Sequence, residues 1–415
     1  MTDQLRDLLG ARAGRDWELY RKTAESRELA TAPAMRRESS RREEGWAARW
    51  WENGAPRFCA AASAEALASG IPAAGRIPVA PAEPLPWPSG RPAPAAPLPL
   101  TPPPDLFAEL ARQVAVESRG EATLSQLSVR RGIRSEWIQN GADLEVSDVS
   151  VRLDGFASAT GRKGTRARDA VVVFRFDGEP DVASLARRIS DRVTLPLSDR
   201  PTPFDRGEWL LDPAVAAALL AALTPLFTGE ARPRWRSGAP VFSRRVHVVD
   251  DATADARFDG EGTPTRRVTL VEEGTLRDSL RDLSAARRTG EPSTGHGVRP
   301  SYRTPPHLAP RRIFFTPERG DSPAELLSRV RRGLFAAAAT APVLADLDED
   351  RFEVEFTGVS VIAGRAQGPV AAARASGRLS ELLQRITALG TDRQFFPHPH
   401  PVGAPTLLVE RVSFE

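Results

Sequence analysis

The sequence predicts an α+β fold, in which an N-terminal helix-and-antiparallel-sheet domain is followed by a mainly antiparallel, β-rich C-terminal domain with peripheral helices. Strand patterns follow one another across tight-turn signals and do not alternate regularly with helices, as they would in a parallel sheet. The order helix, meander, helix occurs twice, before and after a proline-rich stretch. With 415 residues and 41% hydrophobic content, the chain is long enough for two or three packed domains.

The N-terminal 73 residues predict a helix, then strands, then a second helix. "WELYRKTAESRELA" predicts a strand that begins at Trp17, and Asn53-Gly54 between two apolar runs predicts a hairpin turn. Ser63 precedes "AEALASG" as the N-cap of a helix. The only cysteine, Cys59, excludes an internal disulfide and any multi-cysteine metal site. Its small and apolar neighbours indicate a buried structural thiol.

A proline-rich segment at 75–104 interrupts the N-terminal domain, which we expect to span residues 1–204. Twelve prolines lie between Pro78 and Pro104. Proline lacks the backbone donor that helix interiors and sheet ladders need, so the segment should run extended as a linker or strap. A docking role in an aromatic groove of another protein is the alternative. The C-terminal domain then spans residues 205–415.

Between the proline-rich segment and residue 224, helices alternate with a meander. "LFAELARQVAVE" and "DVASLARRISDRV" predict helices, and the strands between them are expected to turn at Asn140-Gly141 and Asp154-Gly155. Asp212 as N-cap and Pro213 as first residue begin a helix that ends near residue 224. This helix is apolar nearly all round, so we expect it to be buried.

The remaining elements are predicted from short patterns. Strands are expected in "PVFSRRVHVVDD", "TRRVTLVEEGTLR", "RFEVEFTGVSVIAGRAQGPVAA" and "PTLLVERVSFE". Helices are expected near "SLRDLSAARRTG" and in "SPAELLSRVRRGLF" and "LSELLQRITALG".

Charge does not indicate a nucleic-acid partner. The 57 basic and 54 acidic residues leave a net charge of +3, and the two signs are interspersed. The high isoelectric point reflects arginine, since lysine occurs only at positions 22 and 163. No apolar run approaches the roughly 18 residues of a membrane span, and the first residues are charged. We therefore expect a cytoplasmic protein with neither a nucleic-acid nor a membrane partner.

Two segments carry candidate chemistry. Asp259 and Glu261, two positions apart, would share one face of a strand and could act as an acid–base pair. Alternatively, they could belong to a solvated turn that is fixed by the adjacent glycines. In "STGHG", which includes Ser293, Thr294 and His296, two glycines allow close approach of a ligand but also suit an ordinary loop. The spacing of an EF-hand is missing, and His398 with His400 offers only two metal ligands. Nucleotide-binding and hydrolase motifs are also missing.

Taken together, these segments resemble the TldD/PmbA family, also called TldD/TldE or modulator of DNA gyrase. The order and spacing of several short pieces carry the resemblance. The matching pieces are, in chain order, residues 249–251, 259–262, 264–265, 270–276, 285–290 and 293–297. "GWAARWWENGAPRFCAAAS" and the final "PVGAPTLLVERVSFE" extend the resemblance over most of the chain. The proline-rich segment is an addition of this protein.

The resemblance implies a subunit without zinc. Subunits of the TldD kind carry H-E-x-x-x-H on a helix and a later cysteine, and hydrolyse peptides, whereas those of the TldE kind lack these ligands. The family's helix segment falls on residues 218–230, where Leu220 and Pro225 replace the histidines and Ala221 replaces the glutamate. Alkyl groups cannot bind zinc or deprotonate water. No catalytic residue, metal site or cofactor is therefore expected in this chain.

By the same resemblance, the chain pairs with a TldD-like subunit that bears H-E-x-x-x-H and zinc, as a heterodimer or larger assembly. It would line a chamber for extended peptides, including leader peptides of natural products. The expected substrate-binding residues are Asp259, Glu261, Ser293, Thr294 and His296. Two alternatives stay open: an independent hydrolase that uses His296 with an acid such as Asp259, and a non-catalytic peptide-binding or regulatory protein.

Overall fold

The computed structural model describes residues 1–76, 85–90, 105–176, 181–198, 200–228, 235–317 and 319–415. Its α-helices are, in chain order, α1 (Thr2–Ala13), α2 (Ala64–Gly70), α3 (Leu106–Glu117), α4 (Val182–Thr194), α5 (Pro213–Ala222), α6 (Leu283–Thr289), α7 (Pro323–Arg329) and α8 (Leu379–Gln384). None of these helices is both long enough and apolar enough to cross a membrane.

Strands dominate both halves of the chain. The N-terminal strands are β1 (Trp17–Ala32), β2 (Met35–Glu52), β3 (Ala55–Ala61), β4 (Ala122–Asn140), β5 (Glu145–Lys163) and β6 (Arg166–Phe176). The C-terminal strands are β7 (Arg206–Leu211), β8 (Val246–Asp251), β9 (Arg267–Glu272), β10 (Thr275–Leu276), β11 (Gly297–Val298), β12 (His307–Leu308), β13 (Ile313–Pro317), β14 (Arg332–Ala339), β15 (Leu344–Asp346), β16 (Arg351–Ile362), β17 (Arg365–Arg378), β18 (Ile386–Leu389), β19 (Gln394–Pro397), β20 (Pro401–Ala404) and β21 (Leu407–Phe414). The predicted α+β class is confirmed, with mainly antiparallel pairing.

The N-terminal strands form one antiparallel sheet in the order β3-β2-β1-β4-β5-β6. Helices α1 to α4 cover one face, where Leu9 of α1 packs with Leu19 of β1 and α3 and α4 pack over β4 to β6. Successive side chains of a strand point to opposite faces. Tyr20 therefore lies on the other face, where it packs with Phe258 and Tyr302 of the C-terminal half. The sheet is thus covered by helices on one side and by the C-terminal half on the other.

The C-terminal strands form a closed barrel and a second sheet. Strands β14-β7-β21-β17-β16 are hydrogen-bonded in that order, and β14 also pairs with β16, which closes the barrel. The second sheet has the order β10-β9-β8-β13-β20-β19. Helix α5 contacts strands of both layers, and its apolar residues join the largest core cluster together with Trp209, Phe315 and Phe356. The predicted burial of α5 is confirmed.

Several local predictions are confirmed. The hairpin at Asn53-Gly54 joins β2 to β3, and both residues have the positive φ that such a turn needs, at 52° and 72°. Ser63 caps α2 by accepting a hydrogen bond from a backbone N–H, at 3.2 Å. Asp212 caps α5 in the same way at 2.9 Å, with Pro213 as the first helical residue.

The turn predicted at Asp154-Gly155 is wrong, because β5 runs through it without interruption and turns only near Gly164. Gly155 is needed for a different reason: a Cβ there would collide with the carbonyl oxygen of Ser128 on β4. The glycine therefore allows two strands to approach each other closely and does not mark a turn.

Two predicted helices are too long. "SPAELLSRVRRGLF" is helical only as far as Arg329, and its last residues begin β14. In β14, a Cβ on Gly333 would collide with the backbone of Glu208. "LSELLQRITALG" likewise ends as a helix at Gln384 and continues as β18. In both segments the pairing partner in the barrel decides the conformation, overriding local helical periodicity.

The prediction for the proline-rich segment 75–104 falls largely outside the described residues. Of this segment, residues 85–90 are described beyond Arg76. Leu85 is buried with Trp51 and Leu283, and Trp87 lies edge-on to Trp51 with ring centroids 5.7 Å apart. This described piece therefore packs on the protein surface.

Candidate functional site

Two loops of the C-terminal half lie side by side against the N-terminal sheet: the acidic loop, residues 258–264, and the histidine loop, residues 293–299. The backbone N–H of Gly260 donates to the carbonyl oxygen of Gly297 at 2.6 Å. A Cβ on Gly260 would lie 2.9 Å from that oxygen. Gly295 has φ 75°, and a Cβ there would lie 2.6 Å from a carbonyl oxygen of the acidic loop. The glycines are therefore required by close backbone contact.

Asp259 organises the acidic loop. Its Oδ1 accepts hydrogen bonds from the backbone N–H groups of Glu261 and Thr263, both at 2.9 Å, and its Oδ2 accepts one from Gly297 at 2.7 Å. The residue is 2% exposed. Burial raises its pKa to about 6, although the three N–H donors favour the ionised form. Asp259 thus holds its own loop in shape and binds it to the histidine loop.

Glu261 points from the acidic loop toward the N-terminal sheet. Its Oε2 accepts a hydrogen bond from the backbone N–H of Leu283 at 2.7 Å, and its Oε1 accepts one from Arg49 of β2 at 3.0 Å. The residue is 1% exposed. Burial raises the pKa of Glu261 to about 8, since loss of water outweighs the opposing charge of Arg49. Protonation of this carboxyl group is therefore coupled to the contact between the two halves.

A buried ion network continues from Glu261 into the N-terminal sheet. Glu18 of β1 accepts hydrogen bonds from Arg49, at 3.2 Å, and from Arg299 of the histidine loop. The guanidinium group of Arg299 also lies over the ring of Tyr20, 4.5 Å from its centroid. The four ionisable side chains are 1–5% exposed. Two carboxyl groups face two guanidinium groups and tie both loops to the sheet.

His296 lies at the centre of the histidine loop and is fully buried. Its Nε2 lies 3.0 Å from Oδ1 of Asp250 on β8, and its Nδ1 lies 2.9 Å from both the hydroxyl and the carbonyl oxygen of Thr294. Asp250 also accepts hydrogen bonds from the backbone N–H groups of Arg311, at 3.0 Å, and Arg312, at 3.2 Å. Because the Asp250 carboxylate is an acceptor, the ring donates to it from Nε2.

Ser293 and Thr294 attach the histidine loop to the segment before α6. The hydroxyl of Thr294 accepts a hydrogen bond from the backbone N–H of Arg281 at 2.7 Å, and the hydroxyl of Ser293 donates to the carbonyl oxygen of the same residue at 3.0 Å. Ser293 also accepts a hydrogen bond from the N–H of Gly295 at 3.2 Å. Both hydroxyl groups are thus used within the protein.

The structure brings together all five residues that the sequence predicted to bind substrate. They are Asp259, Glu261, Ser293, Thr294 and His296, and each is at most 7% exposed. Their hydrogen-bonding groups are engaged by other protein groups, so their direct contact with a substrate stays a prediction.

In the alternative of an independent hydrolase, Asp259 was named as one example of an acid that could act with His296. The structure pairs the histidine with Asp250, because β8 places that side chain beside the histidine loop, while Asp259 is occupied by three backbone N–H groups.

Sequence reasoning missed the N-terminal part of the network. Glu18 lies between Trp17 and Leu19, and Arg49 lies between Ala48 and Trp50. Charged residues inside strongly apolar strand segments are rarely buried unless they are paired. This pattern is the signal that could have identified them, although it does not reveal the partner.

No group of three or more histidine, cysteine, aspartate or glutamate side chains in the described part of the chain is placed to hold a metal ion. On α5, Leu220 is fully buried and Ala221 half-buried, and Pro225 lies in the short turn of 3-10 helix that follows. These hydrocarbon side chains have no lone pair to offer a metal. Cys59 is partly buried, and burial raises the pKa of its thiol.

Comparison with known proteins identifies a family domain and several relatives. Residues 206–415 match the family model described as the PmbA/TldA metallopeptidase C-terminal domain. The uncharacterized protein MJ0231 of Methanocaldococcus jannaschii is 29% identical over 217 residues, covering 48% of this chain and 49% of that protein. A protein of Haemophilus influenzae named metalloprotease TldD homolog is 29% identical over 170 residues, covering 39% of this chain and 33% of that protein. The chain therefore matches about half or less of the length of these curated relatives.

Solved structures share the fold along the whole chain. TldE from Thermococcus kodakarensis superposes with a TM-score of 0.84 at 17% identity and covers 99% of both chains. A structure from Thermotoga maritima, described as a modulator of a DNA gyrase, superposes with a TM-score of 0.77 at 18% identity and covers 100% of both chains. At these identities the likeness establishes the fold. With half of its length matched by the family model, this chain belongs to the PmbA/TldD metallopeptidase family.

Proposed function

We propose that this chain is the metal-free, TldE-like subunit of a cytoplasmic, heteromeric zinc peptidase. The observation that carries the proposal is the chemistry of α5 and the turn after it, where Leu220, Ala221 and Pro225 stand at the positions that, by the resemblance, hold zinc ligands and a base in TldD-like subunits. A partner bearing H-E-x-x-x-H would supply the zinc and the activated water. This chain would supply part of the wall of a chamber that holds an extended peptide.

The fold supports the same role. The likeness to the Thermococcus kodakarensis TldE covers nearly the whole chain, including the N-terminal sheet outside the matched family domain. We infer that the buried ion network sets the position of the two loops relative to that sheet. In this proposal the five predicted residues lie beneath the peptide-binding surface and hold its two loops in position. They are Asp259, Glu261, Ser293, Thr294 and His296. The loop backbone would then contact the peptide.

The substrate class in this proposal is small or unfolded peptides, including leader peptides of natural-product precursors. An extended peptide presents unpaired backbone N–H and C=O groups, which loop backbones and strand edges recognise with little regard to sequence. Side-chain pockets would then add preference for particular residues.

Mixing of subunits tests this proposal. The purified chain, a TldD-like partner with H-E-x-x-x-H, and their mixture are each incubated with an unstructured peptide, and products are identified by mass spectrometry. We expect no cleavage by this chain alone and a rate for the mixture at least about tenfold above that of the partner alone, as expected when a binding wall is completed. An unchanged rate on mixing would contradict the proposal.

A second candidate, hydrolysis by this chain alone, has one observation in its favour. Thr294, His296 and Asp250 lie in the order nucleophile, base and carboxylate. The Thr294 hydroxyl lies 2.9 Å from Nδ1 of His296, and Nε2 of His296 lies 3.0 Å from Oδ1 of Asp250. The three side chains are at most 1% exposed, and the Thr294 hydroxyl is already hydrogen-bonded to Arg281. Cleavage by the lone chain that disappears in Thr294→Val and His296→Ala would establish this candidate.

A further inference from the structure

A separate cleft of about 440 Å³ opens between the N-terminal sheet and the loop around residues 397–401. Its floor is the sheet face that turns toward the C-terminal half, with Arg130 on β4, Arg152 on β5 and Arg175 on β6. His400 lies in the opposite wall. The cleft is outside the two loops described above and has a different lining.

Arg152 is the cation of this cleft that forms no ion pair with any described residue. Arg130 pairs with Asp154 at 2.8 Å, and Arg175 pairs with Asp255 at 3.0 Å. Within the described part of the chain, no carboxylate forms an ion pair with the exposed side chain of Arg152. Its strongest charge interactions are with three other arginines, including Arg175, against a single acid, Asp255. Glu28 also lines the cleft, where its carboxylate accepts a hydrogen bond from the hydroxyl of Ser128. Arg152 is therefore the guanidinium group of this lining that has no ion pair among the described residues.

The wall that contains His400 adds a polar atom that makes no hydrogen bond to the described residues. Nε2 of His400 is buried and has no hydrogen-bond partner among the described residues. Burial lowers the pKa of His400 to about 4, so the ring is neutral near pH 7 and can donate one N–H. A buried polar atom without a partner costs free energy, which a bound ligand that accepts or donates a hydrogen bond there would recover.

The cleft continues as a groove along β6. A second hollow of about 240 Å³ shares Val173, Pro397 and His398 with the first. Val171 and Val173 are 58% and 52% exposed. In the described part of the chain, β6 is the edge strand of its sheet and pairs only with β5. An apolar strip beside a strand edge suits a peptide in extended conformation.

We propose that this groove binds an extended peptide through one of its carboxylate groups, with Arg152 as the pairing cation and His400 as a hydrogen-bonding neighbour. A guanidinium group fits a carboxylate with two parallel hydrogen bonds. The carboxylate comes from an acidic side chain or from the C-terminus of the peptide. The identity of the ligand as a peptide rests on the proposed function, and the inference adds a preference for acidic or free C-terminal segments.

Binding to the full, unpartnered chain tests the site. Three fluorescein-labelled hexapeptides are compared by anisotropy: one with a glutamate and an amidated C-terminus, one neutral with a free C-terminus, and one neutral and amidated. We expect at least one of the first two to bind about tenfold or more tightly than the third, as a charge-assisted hydrogen bond predicts. Which of the two binds identifies the source of the carboxylate.

Substitutions locate the site. Arg152→Met should weaken binding of the preferred peptide about tenfold, and Arg152→Lys should weaken it less. Arg162→Met is the matched control, because this exposed arginine lies near the end of the same strand. It should leave binding unchanged. Equal binding of all three peptides, or equal losses in Arg152→Met and Arg162→Met, would overturn the site. Those outcomes leave the proposed function standing, since that depends on cleavage by the mixed subunits.

Discussion

Arg299 of the histidine loop and Glu18 of the first strand form an ion pair in which each side chain is only 1% exposed. The two residues are far apart in the sequence, and their contact joins the N-terminal sheet to the C-terminal half. Arg49 and Glu261 extend the pair into a network of four ionisable side chains. The relative position of the two halves therefore depends on buried electrostatics as well as on apolar contact.

Arg299→Met should destabilise the protein strongly. The substitution leaves the buried carboxylate of Glu18 with one cationic partner, and breaking such a pair costs roughly 3–5 kcal/mol. Urea denaturation followed by fluorescence measures the loss. Arg244→Met serves as the control, because Arg244 pairs with Glu273 at 3.4 Å on the surface and should cost less than about 1 kcal/mol. Equal losses in the two variants would show that the buried ion pair contributes no more to stability than the surface pair does.

Glu261 should make stability depend on pH. Its pKa is raised in the folded protein to about 8, so the folded state holds a proton that the unfolded chain releases near its ordinary value. The stability that this proton contributes is present at about pH 4 and is lost as pH rises toward about 8. The slope is at most about 1.4 kcal/mol per pH unit. Glu261→Gln keeps an acceptor for Leu283 and removes the titration.

Urea denaturation at about pH 5, 6.5 and 8 compares the two proteins. Wild type should lose more stability than Glu261→Gln as pH rises. The charge of Asp259 contributes to the raised pKa of Glu261, so the difference between the two proteins reports the titration of these two carboxyl groups together. Parallel pH profiles would show that this carboxyl group is not the titrating one.

His296→Ala should loosen the histidine loop without unfolding the barrel. The substitution removes one of the three hydrogen-bond partners of Asp250 and the ring that holds Thr294. Hydrogen–deuterium exchange should show faster exchange in residues 293–299, while the strands of the barrel stay protected. His307→Ala, at an exposed position, is the control. Unchanged protection of residues 293–299 would mean that the ring does not order the loop.

Gly155→Ala should destabilise the N-terminal sheet by several kcal/mol, because its Cβ would collide with the carbonyl oxygen of Ser128 on the neighbouring strand. Gly132→Ala is a matched control on β4, since a Cβ there meets no atom within 4 Å. Thermal unfolding should separate the two variants clearly. Similar melting temperatures for both would contradict the close strand contact.

Local signals predicted much of the fold. Asn53-Gly54 has the positive φ angles that its residue types favour, and Asp212-Pro213 begins a helix for reasons contained in two residues. The predictions were wrong where contact with a strand distant in the sequence determines the local conformation. Gly155 and Gly333 are glycines because of neighbours on other strands, and no local pattern distinguishes these requirements from a turn or a helix.

The site was predicted in part for the same reason. The glycine and acid spacing of the acidic and histidine loops identified the two segments that meet. The partners that complete them come from other elements: Asp250 from β8, and Glu18 and Arg49 from the N-terminal sheet. Tertiary structure alone brings those charges together, so the sequence indicated the segments without revealing the network.

Zinc content of the lone, purified chain tests whether this subunit is metal-free. The chain is dialysed against zinc, freed of loosely bound metal, and measured by inductively coupled plasma mass spectrometry, beside a TldD-like partner treated in the same way. Leu220 and Ala221 on α5 and Pro225 in the turn after it cannot bind zinc, so we expect far less than one zinc per lone chain and about one per partner. One equivalent of tightly held zinc in the lone chain would contradict it.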